Sequence, residues 1–174
     1  NVFNNELYFR AHDGTNGNEL WKFDGVNAPS MVADINSGSS SSNPSYLTVF
    51  NNKLYFEASD GTNGDELWQY DGVNAPSMVA DIKIGPTGSY PTDFVVLNNE
   101  LYFQANDGSH GQELWIYDGV NAPSMVADIV YGSSSSYIND LVVFNNELYF
   151  EADDGTTGYE LWKIRPAGTT ITYS

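Results

Sequence analysis

Four loops in this chain carry two carboxylates each at a fixed spacing: Asp13 with Glu19, Asp60 with Glu66, Asp107 with Glu113, and Asp154 with Glu160. Two glycines and a Thr or Ser hydroxyl lie between each pair, as in Asp60-Gly61-Thr62-Asn63-Gly64-Asp65-Glu66. Hard oxygen donors around a glycine-rich turn are the ligands that calcium takes, with backbone carbonyls completing the shell. The eight carboxylates are therefore the candidate metal ligands, and calcium the one cofactor the sequence suggests. The spacing differs from that of the helix-loop-helix calcium loop, and only two carboxylates recur per loop. The same residues also have a structural reading, which carries more weight: Asp accepts backbone N–H groups in the turn, and Glu pins the next strand.

A second chemistry is stacking on sugar rings. Trp21, Trp68, Trp115 and Trp162 offer flat apolar faces, but each lies mid-strand beside a leucine, the setting of a core aromatic. Sugar binding fits better at positions near loops where the copies differ: Tyr46, Tyr90, Tyr131, Tyr137, Tyr159, Asn18, Asp65 and Gln112. Nucleophilic and phosphate chemistry finds no support. His12 and His110 are the only histidines and occupy different positions in their loops, cysteine is absent, and no nucleophile elbow, phosphate loop or HExxH occurs. Carboxylates for glycan cleavage are plentiful, yet none is set apart from its repeats. The expectation is a protein that is not an enzyme.

Composition narrows the partners. The net charge of −17 comes from 6 basic and 23 acidic residues. Such a chain repels phosphate backbones and anionic lipid, so nucleic acid is excluded as a partner. No apolar run approaches membrane-spanning length. Without cysteine there is no disulfide framework and no zinc–thiolate site. The first residue is Asn1, with neither Met nor a signal segment, which leads us to expect a processed or excised piece of an exported protein.

These residues must be positioned by a repeat. The four tryptophans are each 47 residues apart with no insertion or deletion, and a period of 20 to 50 residues means a solenoid, a propeller or an array. Each unit contains four short runs rich in β-branched and aromatic residues; in the second unit they are 46–50, 53–58, 66–70 and 77–82. Asn51-Asn52 suits a tight hairpin between the first two, and Asp71-Gly72 with Pro76 makes the third connection. A Ser-, Gly- and Pro-rich stretch that varies among copies follows the fourth run, at 36–45, 83–92 and 130–139. Four antiparallel strands and a long crossing connection are the unit of a β-propeller.

The fold class expected is therefore all-β: a single domain over 1–174, a four-bladed β-propeller with blades at about 1–35, 46–82, 93–129 and 140–174. Closure within one chain makes it a monomer; the alternatives are a homodimer of two half-rings forming eight blades, or an excised half of a larger ring. An unclosed arc would expose two apolar blade faces, which a soluble monomer does not tolerate. The tail 169–173 stands where the last blade's fourth strand belongs, although Arg165-Pro166-Ala167-Gly168 replaces the Asp-Gly turn. Thr48, Val49, Val95, Val96, Val142 and Val143 would flank a central channel and argue against a ring of charged ligands there, with only Asp93 and Asp140 near its mouth.

The run Gly-x-Glu-Leu-Trp-x-x-Asp-Gly, at 17–25, 64–72 and 111–119, resembles the ELWxxDGT repeat of secreted bacterial proteins. The likeness spans essentially the whole chain. It implies a propeller-like module of an exported or cell-surface protein and no particular activity. Two departures stand out: Val26, Val73 and Val120 replace the final Thr, and the fourth copy reads Lys163-Ile164-Arg165 where Asp-Gly is expected. The leading functional expectation is a non-catalytic extracellular module that binds carbohydrate or a surface protein through repeated inter-blade sites. The rival is a purely structural repeat of a larger surface protein, with calcium stabilising either.

Overall fold

The computed structural model describes residues 1–164 in full and the backbone of a last strand at 171–173. It contains four antiparallel four-stranded sheets, each in simple up-and-down order. The chain divides into two compact units, Asn1–Tyr90 and Pro91–Ser174, with two sheets in each.

In the first unit, one sheet is formed by β1 (Val2–Phe3), β2 (Glu6–His12), β3 (Asn18–Phe23) and β4 (Ser30–Ala33). The other is formed by β5 (Ser45–Phe50), β6 (Lys53–Ser59), β7 (Asp65–Tyr70) and β8 (Ser77–Ala80). The second unit repeats this plan with β9 (Thr92–Leu97), β10 (Glu100–Asn106), β11 (Gln112–Tyr117) and β12 (Ser124–Ala127). Its last sheet has β13 (Asn139–Phe144), β14 (Glu147–Asp153), β15 (Tyr159–Ile164) and β16 (Ile171–Tyr173). The strand expected at the tail is thus present over 171–173, whereas 165–170 lie outside the described residues.

Local chemistry accounts for each hairpin. The first two strands of every sheet are joined by Asn-Asn with both residues at positive φ, for example Asn51 at 44° and Asn52 at 57°. That is the backbone of a primed two-residue turn, whose twist matches the strands it joins. The next two hairpins use one device twice. Asp60 Oδ1 accepts the N–H groups of Thr62 and Asn63 while its Oδ2 accepts the Asn63 amide. Asp71 does the same with Val73 and Asn74.

Within each unit the two sheets share an apolar interior. In the first, Tyr8 and Leu20 of one sheet meet Leu54, Phe56, Ala58 and Trp68 of the other. In the second, Tyr102 and Leu114 meet Leu148, Phe150, Ala152 and Trp162, with Ile138 from the intervening connection among them. Each tryptophan faces a phenylalanine across the central hairpin, as Trp68 does Phe56 and Trp115 does Phe103. Aromatic cross-strand pairs of this type stabilise a sheet beyond their burial. Trp68, Trp115 and Trp162 are buried, as expected of core aromatics, and Trp21 is half-buried.

Candidate functional site

The aspartates of all four loops and the glutamates of the first three are already engaged by the protein. Asp13, Asp60, Asp107 and Asp154 each cap their own turn. Asp13 takes the N–H groups of Thr15 and Asn16, and Asp107 those of Ser109 and His110. The backbone N–H of Thr157, joined by donors on Thr156, holds Asp154 down at about 2. His110 departs from the pattern by placing Nδ1 2.7 Å from Asp107 Oδ2, the place its counterpart Asn63 fills with an amide.

The glutamates do something different from pinning their neighbouring strand. Glu19, Glu66 and Glu113 are fully buried and hold the start and the end of the long connection that follows the fourth strand. Glu19 accepts from the Ile35 N–H, the Ser42 N–H and the Ser42 hydroxyl. Glu66 accepts from Ile82 N, Lys83 N and the Ser89 hydroxyl, and Glu113 from Ile129 N and Ser136 N. A buried anion is stabilised by such donors and penalised by lost water. Burial wins at Glu113, which rises to about 7, and it also raises Glu66. Among the described residues, no group of three metal-ligating side chains assembles at these loops or elsewhere.

Those connections carry a pattern that their variable sequence conceals. A buried serine, an exposed residue and a buried Pro or Ile follow one another at Ser42-Asn43-Pro44, Ser89-Tyr90-Pro91 and Ser136-Tyr137-Ile138. The exposed middle residue is left-handed each time, with φ of 50° at Asn43, 52° at Tyr90 and 49° at Tyr137. Three residues on, the first strand bulges, and Tyr46, Asp93 and Asp140 are left-handed in turn at 56°, 57° and 54°. Serine at a spacing of 23 after each glutamate was the signal available in the sequence.

Several of the proposed sugar-contacting residues come together here. The carbonyl of Asn18 accepts Asn43 N–H, and its amide reaches Asn43 Oδ1 at 3.4 Å. The Asp65 carbonyl accepts the N–H of Tyr90 at 3.0 Å. The Gln112 carbonyl accepts Ser136 N–H, immediately before Tyr137. Tyr46 stands three residues after Asn43, within β5, and Tyr137 stands three residues from Asp140. Tyr46, Tyr90 and Tyr137 are each about half exposed. Tyr131, earlier in the same connection as Tyr137, is far more exposed.

Tyr159, the fourth-sheet counterpart of Asn18, sits elsewhere. With Asp140, Val142, Tyr149, Glu151 and Leu161 it lines a cleft of about 360 Å³ on the last sheet. Glu57, the β6 counterpart of Glu151, is raised to about 7 by burial and the nearby Asp65 carboxylate, against the pull of Arg10. Asp65 is itself raised by burial.

No known protein family matches the sequence, and no curated protein does. One solved structure, described in a structural and mechanistic analysis of two prolyl endopeptidases, shares the fold: it superposes with a TM-score of 0.63 at 10% identity, over 98% of this chain and 24% of that one. An alpha-L-arabinofuranosidase from Clostridium thermocellum gives a TM-score of 0.36 at 16% identity, over 99% of this chain and 69% of that one. This chain thus spans about a quarter of the length of the peptidase chain, and at 10% identity the likeness is one of fold alone.

Proposed function

We propose that this chain is a non-catalytic, propeller-type module of an exported surface protein, and that it binds carbohydrate at the connections between its sheets. The four up-and-down sheets are read as successive blades, akin to the ELWxxDGT type of repeat.

The observation that carries the binding reading is the use of tyrosine at left-handed backbone positions. Tyr46, Tyr90 and Tyr137 hold φ between 49° and 56°, and all are exposed. An L-residue there costs about 1–2 kcal/mol that glycine avoids. Strain retained at exposed, polar-flanked aromatics has its return outside the fold, in contact with a ligand. A phenol ring stacks on a pyranose, and the Asn, Asp or Gln at the start of the third strand offers hydrogen bonds to its hydroxyls. Each site alone is weak, and several on one ligand add by effective concentration. A surface protein presenting similar groups would use the same residues.

Tyr137→Gly tests this directly. Stability measured by urea should hold or rise by about 1 kcal/mol as the strain is relieved, while affinity for saccharides selected on a glycan array drops at least several-fold. An array without any hit, or one whose hits bind the variant undiminished, would falsify the reading. Repeating the array with EDTA reports whether calcium takes part.

A further inference from the structure

Glu160 occupies in the fourth sheet the position of Glu19, Glu66 and Glu113, yet its Oε2 is buried with no hydrogen-bond partner among the described residues. In the other three copies that carboxylate is met by a serine 23 residues onward. Beside it, Leu161 is 54% exposed, whereas its counterparts Leu20 and Leu114 are fully buried. Within their units those leucines lie under the sheet that follows, and Ile138 of the connection packs among the residues around Leu114. The cleft of about 360 Å³ opens where such a following segment would lie, between Asp140 and Val142 of β13 and Tyr159 and Leu161 of β15. Val143 and Phe144 of β13 are also exposed.

We propose that this face of the fourth sheet is a docking site for one further repeat of the same kind. That repeat enters through a connection of the form Ser-x-Pro or Ser-x-Ile. Its serine hydroxyl and N–H donate to Glu160, and its Pro or Ile fills the cleft against Leu161 and Tyr149. An unpaired carboxylate oxygen out of water is unfavourable until a donor arrives, and an exposed leucine is unfavourable until it is covered, so both defects are corrected by one event. A second copy of these 174 residues does not supply the donor, because its matching serines Ser42, Ser89 and Ser136 are already buried against their own glutamates. The inference rests on the repeat-array part of the proposed function and is independent of whether sugar binds.

The test extends the chain by repeating residues 128–174 after Ser174. The extension should raise the melting temperature by about 5 °C. It should protect Leu161 and Tyr159 from hydroxyl-radical oxidation at least several-fold. In the original chain, Glu160→Gln should leave the urea midpoint unchanged or raise it. In the extended chain the same change should lower it, and should couple in a double-mutant cycle to Ser→Ala at the appended copy of Ser136. Zero coupling, or Leu161 already protected in the original chain, overturns the proposal. So does concentration-dependent association of the original chain that Leu161→Lys abolishes, since a second copy would then be the occupant. If the extended chain fails to fold, the footprint and the Glu160→Gln result in the original chain still decide the matter: a protected Leu161 or a lowered midpoint refutes it.

Discussion

At Glu113 two opposing effects meet in one carboxyl group. Two backbone N–H donors favour the anion, and complete burial disfavours it; burial prevails and the group is held at about 7, against an ordinary 4.5. Glu57 is held at about 7 for the same reason, aided by Asp65. A raised folded pKa means that the native state binds the proton more tightly than the unfolded chain. Stability from these groups is complete below about 4.5 and is lost as pH rises through about 7. The turn aspartates act with the other sign. Asp24 and Asp71, held at about 2 chiefly by the amides of Asn27 and Asn74, contribute above 3.8 and lose that contribution as pH falls through about 2. The urea midpoint should therefore be higher at about pH 5 than at about pH 8, and Glu113→Gln should flatten that descent. A midpoint that is level across this range would show that the hydrogen-bond donors, not burial, control Glu113. None of this was legible in the sequence, which offered Glu113 as a pin for the next strand or as a metal ligand; its burial follows from a connection 16 to 23 residues downstream folding back over it.

Hairpins were the readable elements, because their determinants are adjacent in sequence. Asn51-Asn52 announces a primed turn, and Asp-Gly-x-Asn announces a capped one. The strands 46–50, 53–58, 66–70 and 77–82 expected in the second repeat differ from β5 to β8 by at most two residues at an end. The connections were less readable, since their fixed points are two buried positions and a left-handed residue inside a stretch of changing composition. Glycine shows how closely the connection approaches the loop. A Cβ on Gly64, at φ 71°, would run into the backbone of Thr87 and Gly88, whereas one on Gly14, at φ 92°, would meet nothing within 4 Å. Gly14→Ala should then cost only its backbone conformation, about 1–2 kcal/mol. Gly64→Ala must also push the connection away from Glu66, and should cost about 3 kcal/mol or more. Equal urea midpoints for the two variants would mean that the connection yields freely and that the Glu66–Ser89 bond is not what secures it.

For the molecule as a whole, the 47-residue period gave the all-β class and four sheets of four strands directly, because a repeat must bury its faces against its neighbours. Which sheet faces are covered was not legible, since every copy carries the same interior motif, even where the fourth loses the Asp-Gly turn. The charge of −17 bears on a different question. Self-repulsion of so many carboxylates should weaken the fold at low ionic strength, and any salt should strengthen it by screening. Calcium would then raise the melting temperature without occupying a site, so the comparison must be made at matched ionic strength. The loop aspartates spend their oxygens on turn N–H groups, and the buried glutamates spend theirs on the connections. Millimolar calcium should consequently raise the melting temperature no further than magnesium or sodium does at equal ionic strength. A larger, saturable rise with calcium alone would place a bound ion in the native state. Asp60→Asn would then show whether that ion sits at the loop, because only there should the substitution remove the calcium increment while leaving the sodium effect in place.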